Sequence, residues 1–213
     1  MIGLPEDKIE NIIDCRISSV RALVSVVIVT HNRSLELVEC LGYLGKQKLK
    51  EFEVIVVDNG EEGEKIISKL SYFNLNLQYI KLKNNYGPSV GRNIGTYYAK
   101  TNIVCFLDDD ALAEPYWTEA HYKAYQNYQI AGLRGRVLPK RDLIYNDLQD
   151  HYDLGNLIQE SYIELEGNCS FRKDILIEVG GFNSDLFGAE GLELSYRIVN
   201  RFENKEKLIY YPE

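Results

Sequence analysis

The 213-residue sequence has no long apolar run. No stretch approaches the roughly 18 residues of a membrane-spanning helix, and the start, MIGLPEDKIENII, lacks the basic-then-apolar order of a secretory leader. Basic residues are also scarce, 24 Lys and Arg against 32 Asp and Glu, a formal charge of −8. Phosphate-backbone binding needs a basic stripe, so the charge disfavours nucleic acid and none is expected as a partner; a small anionic ligand stays open if a cation mediates. The four cysteines, at 15, 40, 105 and 169, include no C-x-x-C pair, which argues against zinc and redox sites and for buried, reduced thiols in a cytosolic protein. There is no G-x-x-x-x-G-K-[ST], hence no P-loop, and no G-x-G-x-x-G after the first strand-like run, which weakens a dinucleotide reading. No repeat, low-complexity tract or linker divides the chain. Its 45% apolar and 26% charged residues are those of one globular domain, long enough to bury a core without disulfides.

What is present alternates. Residues 1–22 read as an N-terminal extension in which 7–13 can form a short amphipathic helix. Residues 23–29 (LVSVVIV) are a β-branched run of the kind buried on both faces of a parallel sheet. Ser34 is placed to N-cap a helix whose apolar positions are Leu35, Val38, Leu41 and Leu44. Strands at 53–57, 77–82 and 103–107 follow, separated by a helix through Ile66, Ile67 and Leu70 and by one opening at Pro88; a helix over 117–128 comes next. This order predicts βαβ units with right-handed crossovers: an α/β, Rossmann-like, mostly parallel sheet with helices on both faces. The second half is less regular. Strands are expected at 130–138, 164–171 and 208–211, helices at 173–179 and 189–199, and a helix with flanking loops within 142–159.

In open α/β sheets ligands bind beyond the carboxyl ends of the strands. Those ends carry Thr30, His31, Asn32 and Arg33, then Asp58, Asn59 and Gly60, then Asn84, Asn85, Tyr86 and Gly87, then Asp108, Asp109 and Asp110. Three successive carboxylates repel one another. A hard divalent cation such as Mg²⁺ or Mn²⁺ resolves the repulsion, with strand alternation turning Asp108 and Asp110 to one side and Asp109 to the other. The competing reading is a solvated acidic turn capping the helix near Pro115. A metal with few protein ligands points to phosphates as the remaining ligands, so a nucleoside diphosphate fits this edge.

At this point the segments VSVVIVTHNR, VIVVDNG, NNYGPSVGRNIG, FLDDDA, EGNCSFRKD, GGFN and AEGLELSYRI, in this order over about residues 23–211, resemble family 2 glycosyltransferases of the GT-A fold. The resemblance implies metal-dependent transfer of a sugar, with inversion, from a nucleoside-diphosphate-sugar to a hydroxyl acceptor; uridine is the expected base. Carried over by position, Thr30, Asn32, Arg33 and Asp58 line the nucleoside pocket, with Asn85, Gly87, Arg92, Asp108, Asp109 and Trp117 also on the donor side. Asp108 and Asp110 are the implied ligands of Mn²⁺ or Mg²⁺. His31 shapes the same pocket. Trp117 either stacks on a sugar or packs in the core, and Asn168 and Cys169 either approach the donor sugar or pack. Arg134 and Arg136 either face the diphosphate or balance carboxylates.

The sequence departs from the family twice. The usual Glu-Asp pair holding the catalytic base becomes Glu190-Gly191, which leaves Glu190 as candidate base or as a carboxylate favoured by a helix N-terminus. Glu193 is the second candidate base, though it is spaced to pair with Arg197 at i+4. The family's metal-completing histidine is missing: the chain stops at Glu213, and His31, His121 and His151 do not take that place, so a domain truncated at its C-terminal end is expected over 23–213. Implied partners are a nucleotide-sugar donor and a glycan, lipid-linked or protein acceptor, in the cytoplasm or in peripheral contact with the inner face of a membrane. The alternative is a non-catalytic nucleotide-sugar-binding or assembly domain of a larger transferase. A nucleotidyltransferase would need a glycine-rich basic loop in place of THNRSLE.

Overall fold

The computed structural model describes residues 5–16, 21–140, 150–203 and 205–213. Among these, nine strands form one sheet: β1 (Ile9–Asp14), β2 (Val24–Thr30), β3 (Phe52–Asp58), β4 (Leu77–Leu82), β5 (Ile103–Leu107), β6 (Ile130–Gly135), β7 (Gln159–Glu160), β8 (Asn168–Arg172) and β9 (Lys207–Tyr211). Their spatial order is β1-β4-β3-β2-β5-β8-β6-β9-β7. β4, β3, β2 and β5 are parallel, as are β6 and β9, while β8 lies antiparallel between β5 and β6. The first half therefore has the expected βαβ alternation.

The helices are α1 (Ser34–Leu44), α2 (Gly63–Leu70), α3 (Gly87–Tyr98), α4 (Trp117–Asn127), α5 (Lys173–Val179) and α6 (Glu190–Arg201). The two sheet faces bury separate cores. Val24, Val26 and Ile28 pack with Leu37, Leu41 and Leu44 of α1 and Ile66 of α2. Val27, Ile55 and Val57 pack with Ile94 of α3, Leu176 of α5 and Leu194 and Ile198 of α6. Each such aliphatic side chain contributes about 1.5–3 kcal/mol by leaving water, and double coverage explains the unbroken β-branched run in β2. Close approach fixes α3. A Cβ on Gly91 would stand 2.7 Å from Val29 Cγ1, and one on Gly95 would strike the Val27 methyls. These two glycines, one turn apart, let the helix sit directly on β2.

Four local expectations change. Residues 9–14 are a strand, not a helix: a single short helix is marginal alone, whereas the β4 edge offers backbone partners, and Ile12 pairs with Ile80. Ser34 does not cap α1 through its hydroxyl; instead its N–H is taken by Glu62 (3.3 Å), whose pKa falls to about 2 through its bonds to Lys65 and Ser34. β8 begins at Asn168 rather than 164, because the preceding segment lies along α6, with Ile163 N–H donating to Ser195 Oγ at 3.0 Å. Cys15 is exposed; the other three cysteines are buried, and burial raises each of their pKa values, that of Cys40 to about 12. Of the stretch 142–159, residues 142–149 lie outside the described residues; the described part holds one turn of 3-10 helix, Asp150–Tyr152, and reaches the start of β7.

Candidate active site

β2, β3, β4 and β5 end at one edge of the sheet, and their polar termini meet there. Thr30 is buried and donates its hydroxyl to Asp109 Oδ2 at 2.7 Å. Arg33, just beyond, bridges Asp109 Oδ1 (3.2 Å) and Asp110 Oδ2 (3.0 Å). Asn32 takes a left-handed φ of 55° and accepts the Glu61 N–H at 2.7 Å. His31 is exposed, its Nδ1 3.1 Å from the Asn59 carbonyl.

Asp58, expected in the nucleoside pocket, is fully buried: Oδ1 accepts the Gly60 N–H at 2.7 Å and Oδ2 the Tyr79 hydroxyl at 2.5 Å. As the last strand residue it points inward and closes the β3–α2 turn. Asn59, absent from the expected donor set, pins two loops together, donating to the Gly87 carbonyl and accepting the Tyr86 N–H, both at 3.1 Å. Asn85 accepts the N–H of Gly87 at 2.9 Å, and Gly87 takes the positive φ of 82° that this turn demands.

The acidic triplet does not alternate. β5 stops at Leu107 and the chain turns, with Ala111 N–H bonded to the Asp108 carbonyl at 3.1 Å. Asp109 and Asp110 consequently share Arg33, and Asp108 turns towards Arg92, 3.9 Å away. The triplet does not cap α4, whose first turn has no side-chain cap. Asp108 is accessible yet walled in: its carboxyl rests on Gly167, where any Cβ would collide with it. Desolvation raises its pKa, aided by Asp110, Asp109 and Glu166 against the opposing pull of Arg92. Asp109 is also raised, chiefly by burial, although Thr30 and Arg33 hold it down. The donor set is all carboxylate oxygen, which fits a hard divalent cation. Asp108 and Asp110 have accessible oxygens; Asp109 is buried with both of its oxygens engaged. Among the described residues no three His, Cys, Asp or Glu side chains gather to hold a metal unaided, so diphosphate oxygens would have to complete the shell.

Arg92 is held by α3 with its guanidinium 5.5 Å from the Phe182 ring centre. Asn93 brackets Phe182 through two backbone bonds of 2.8 Å, tying α3 to the 180–182 loop. Trp117 is buried, its indole N–H given to Asn168 Oδ1 at 2.8 Å. It therefore packs beneath the acidic turn rather than offering an open face for a sugar. Asn168 also meets His121 Nε2 (3.4 Å), and His121 Nδ1 meets Ser170 (2.8 Å), so Asn168 belongs to a buried network; Cys169 is buried as well. Arg134 and Arg136 bond the carbonyls of His151 and Gly155, and among the described residues neither pairs with the acidic triplet that follows β5.

Glu166, next to the Gly167 on which Asp108 rests, reaches the N-terminus of α6, which is approached through Gly188 (φ 100°) and Ala189 (φ 58°). Left-handed backbone at a non-glycine residue costs about 1–2 kcal/mol and aims the first turn. Glu190 is 6% exposed, and among the described residues its carboxylate has no hydrogen bond or ion pair. Glu193 is not free for base chemistry. Both of its oxygens are held by Arg197 (2.6 and 2.7 Å), which also binds the Val179 and Gly181 carbonyls, so the pair clamps α6 to the end of α5. Glu166, which was not singled out in the sequence, accepts the Gly191 N–H. It opens the segment EGNCSFRKD, but nothing in that segment marks its role, because its partner lies 25 residues on.

Comparison with known proteins fits this geometry. Residues 25–182 match the model of glycosyl transferase family 2. The chain is 34% identical to chondroitin synthase of Escherichia coli over 143 residues, 65% of this chain and 20% of that protein. It is 26% identical to the glucosyl-dolichyl phosphate glucuronosyltransferase of Haloferax volcanii over 176 residues, 76% of this chain and 56% of that one. In fold it resembles S. aureus TarS 1–349 in complex with UDP-GlcNAc (TM-score 0.69, 22% identity, 90% of this chain and 58% of that one). It also resembles the mannosyltransferase PcManGT from Pyrobaculum calidifontis in complex with GDP-Man and Mn²⁺ (TM-score 0.68, 20% identity, 96% and 59%). Among the described residues no helix is long and apolar enough to cross a membrane. The chain has a GT-A fold and belongs to glycosyl transferase family 2.

Proposed function

We propose that this chain transfers a sugar from a nucleoside-diphosphate-sugar to a hydroxyl acceptor by a single, inverting displacement, with a uridine diphosphate sugar as the first donor to test. The observation that carries this reading is the accessible Asp108 carboxylate, which has Arg92 3.9 Å away on one side and, on the other, Glu166, whose carboxylate reaches the start of α6. Donor diphosphate and acceptor hydroxyl would meet there. Asn32, Arg33, Asn85 and Gly87 would face the nucleoside, while Thr30, Asp58 and Asn59 hold the pocket from below. Asp108 and Asp110 would hold Mn²⁺ or Mg²⁺, which when bound supplies positive charge beside the departing diphosphate. Arg92 adds a fixed positive charge on the same side, and the acceptor's proton passes to a carboxylate at the start of α6. Glu190, the first candidate base read from the sequence, and Glu166 are the two there that Arg197 does not engage, as it does Glu193. The acceptor is proposed to be a glycan, a protein or a lipid-linked sugar, the last requiring peripheral membrane contact.

Thermal unfolding against UDP-, GDP- and dTDP-sugars, with and without Mn²⁺, tests the reading. Ligand at a hundredfold its dissociation constant adds about 2.7 kcal/mol, a rise of about 5–10 °C for a domain of this size. A Mn²⁺-dependent rise with one base, lost in Asp110→Ala, is the expected result. The absence of any rise would refute donor binding, and normal binding by Asp110→Ala would refute the metal assignment.

A further inference from the structure

Gly191 has no side chain, yet the space where one would project is filled. A Cβ built there would lie 2.7 Å from Glu166 Oε1 and 2.5 Å from the Ile163 carbonyl. The Glu166 carboxylate thus occupies the position of a side chain on the first turn of α6, held by the Gly191 N–H. Its backbone is equally well placed. The neighbouring Gly167 carbonyl accepts the Asp108 N–H at 3.3 Å, and the Glu166 charge is felt at Asp108. Glu166 therefore stands between the residue that faces the donor and the helix that faces the acceptor. It is half-buried, whereas Glu190 is almost wholly enclosed. A base must reach the proton it takes, so accessibility decides between them.

We infer that Glu166 is the catalytic base. This rests on the transferase reading above and deepens it. In the step, the acceptor O–H bond breaks and its proton goes to the Glu166 carboxylate. The acceptor oxygen bonds to the anomeric carbon, whose bond to the diphosphate oxygen breaks with the electron pair leaving on the diphosphate. The Gly191 N–H engages one carboxylate oxygen and leaves the other for the proton.

The test separates this role from helix capping, because the amide oxygen of Glu166→Gln still accepts the Gly191 N–H. Release of UDP from UDP-N-acetylglucosamine and of GDP from GDP-mannose is followed with Mn²⁺, with N-acetylglucosamine or water as the hydroxyl acceptor. A positioned base contributes about 10²–10⁴-fold. Glu166→Gln is therefore expected to lose that much kcat while its donor KM and unfolding temperature stay unchanged. Glu166→Asp, one methylene shorter, should retain part of the rate. Turnover by Glu166→Gln within about twofold of the parent would overturn the inference alone, since a cap without base chemistry survives this change. A parent chain that binds no UDP-, GDP- or dTDP-sugar would overturn the transferase reading and this inference with it.

Discussion

His121 should make the stability of this protein fall steeply in mild acid. It lies on α4, 3% exposed, in contact with the Trp117 ring at a centroid distance of 4.5 Å. Its bonds specify the neutral Nε2–H tautomer. Nε2 faces Asn168 Oδ1, an acceptor, while Nδ1 faces Ser170 Oγ, which can donate to it and accept from Tyr125 at 3.1 Å. An imidazolium would put a second N–H against Ser170 and an uncompensated charge in the core. Burial accordingly lowers the pKa from 6.5 to about 4. As pH drops below about 6.5 the unfolded chain binds a proton that the folded chain refuses, so stability declines until the folded group titrates near 4. One pKa unit is about 1.4 kcal/mol, so the full loss is about 3 kcal/mol. Urea unfolding of the parent and of His121→Gln between about pH 7 and about pH 4 isolates this contribution, since the other titrating groups are common to both. The variant should be less stable by about 1–2 kcal/mol at neutral pH, through lost packing and bonds. Its deficit should vanish or reverse near pH 4. A deficit that is the same at both ends would refute a buried neutral histidine.

Gly95→Ala should destabilise by up to about 2 kcal/mol: with the added Cβ driven into the Val27 methyls the overpacking cost falls towards the upper end of about 1–3, against a gain of about 1 in helix propensity, and a urea midpoint equal to or above the parent's would contradict the close seat of α3 on β2. Native protein should react with a thiol reagent at one cysteine per chain, Cys15, the others reacting only after unfolding; a second fast thiol would contradict the burial of Cys40, Cys105 and Cys169. Arg33→Ala leaves buried Asp109 with Thr30 as its remaining partner and should cost about 1–2 kcal/mol at neutral pH. Protonation of Asp109 relieves that cost, so the gap from the parent should narrow towards about pH 4, and a gap independent of pH would show that Arg33 does not hold Asp109.

The parallel half of the fold was legible because burial on both faces demands near-continuous β-branched runs, as in VSVVIVT and FEVIVVD, and runs this short have few other uses. The loop ends of those strands were legible for the same reason, since polar clusters after such runs fall on one edge. Direction within the loops was not. Asp108, Asp109 and Asp110 follow a strand by one residue, and period-two alternation fails once the backbone turns. Asp58 looked available by type, but its register as the last strand residue turns it inward. β1 went unread because its stability comes from the edge of β4 and not from its own pattern. Glu166 and Glu62 were invisible for a common reason: each satisfies a helix N-terminus far away in sequence, at Gly191 and Ser34.

The antiparallel placement of β8 has a consequence for the order of assembly. β2 to β5 can join through successive short crossovers, each closing a loop of modest length. β8 must then find β5 across some sixty positions, as in the pairing of Cys105 with Ser170, before Gly167 can seat Asp108 and Glu166 can reach α6. Long closures come late because their entropy is spent before their contacts form. The side proposed for the nucleoside is thus made by early, local contacts and the side proposed for the acceptor by the last long-range one, so the two halves of the proposed site would be completed at different stages of folding.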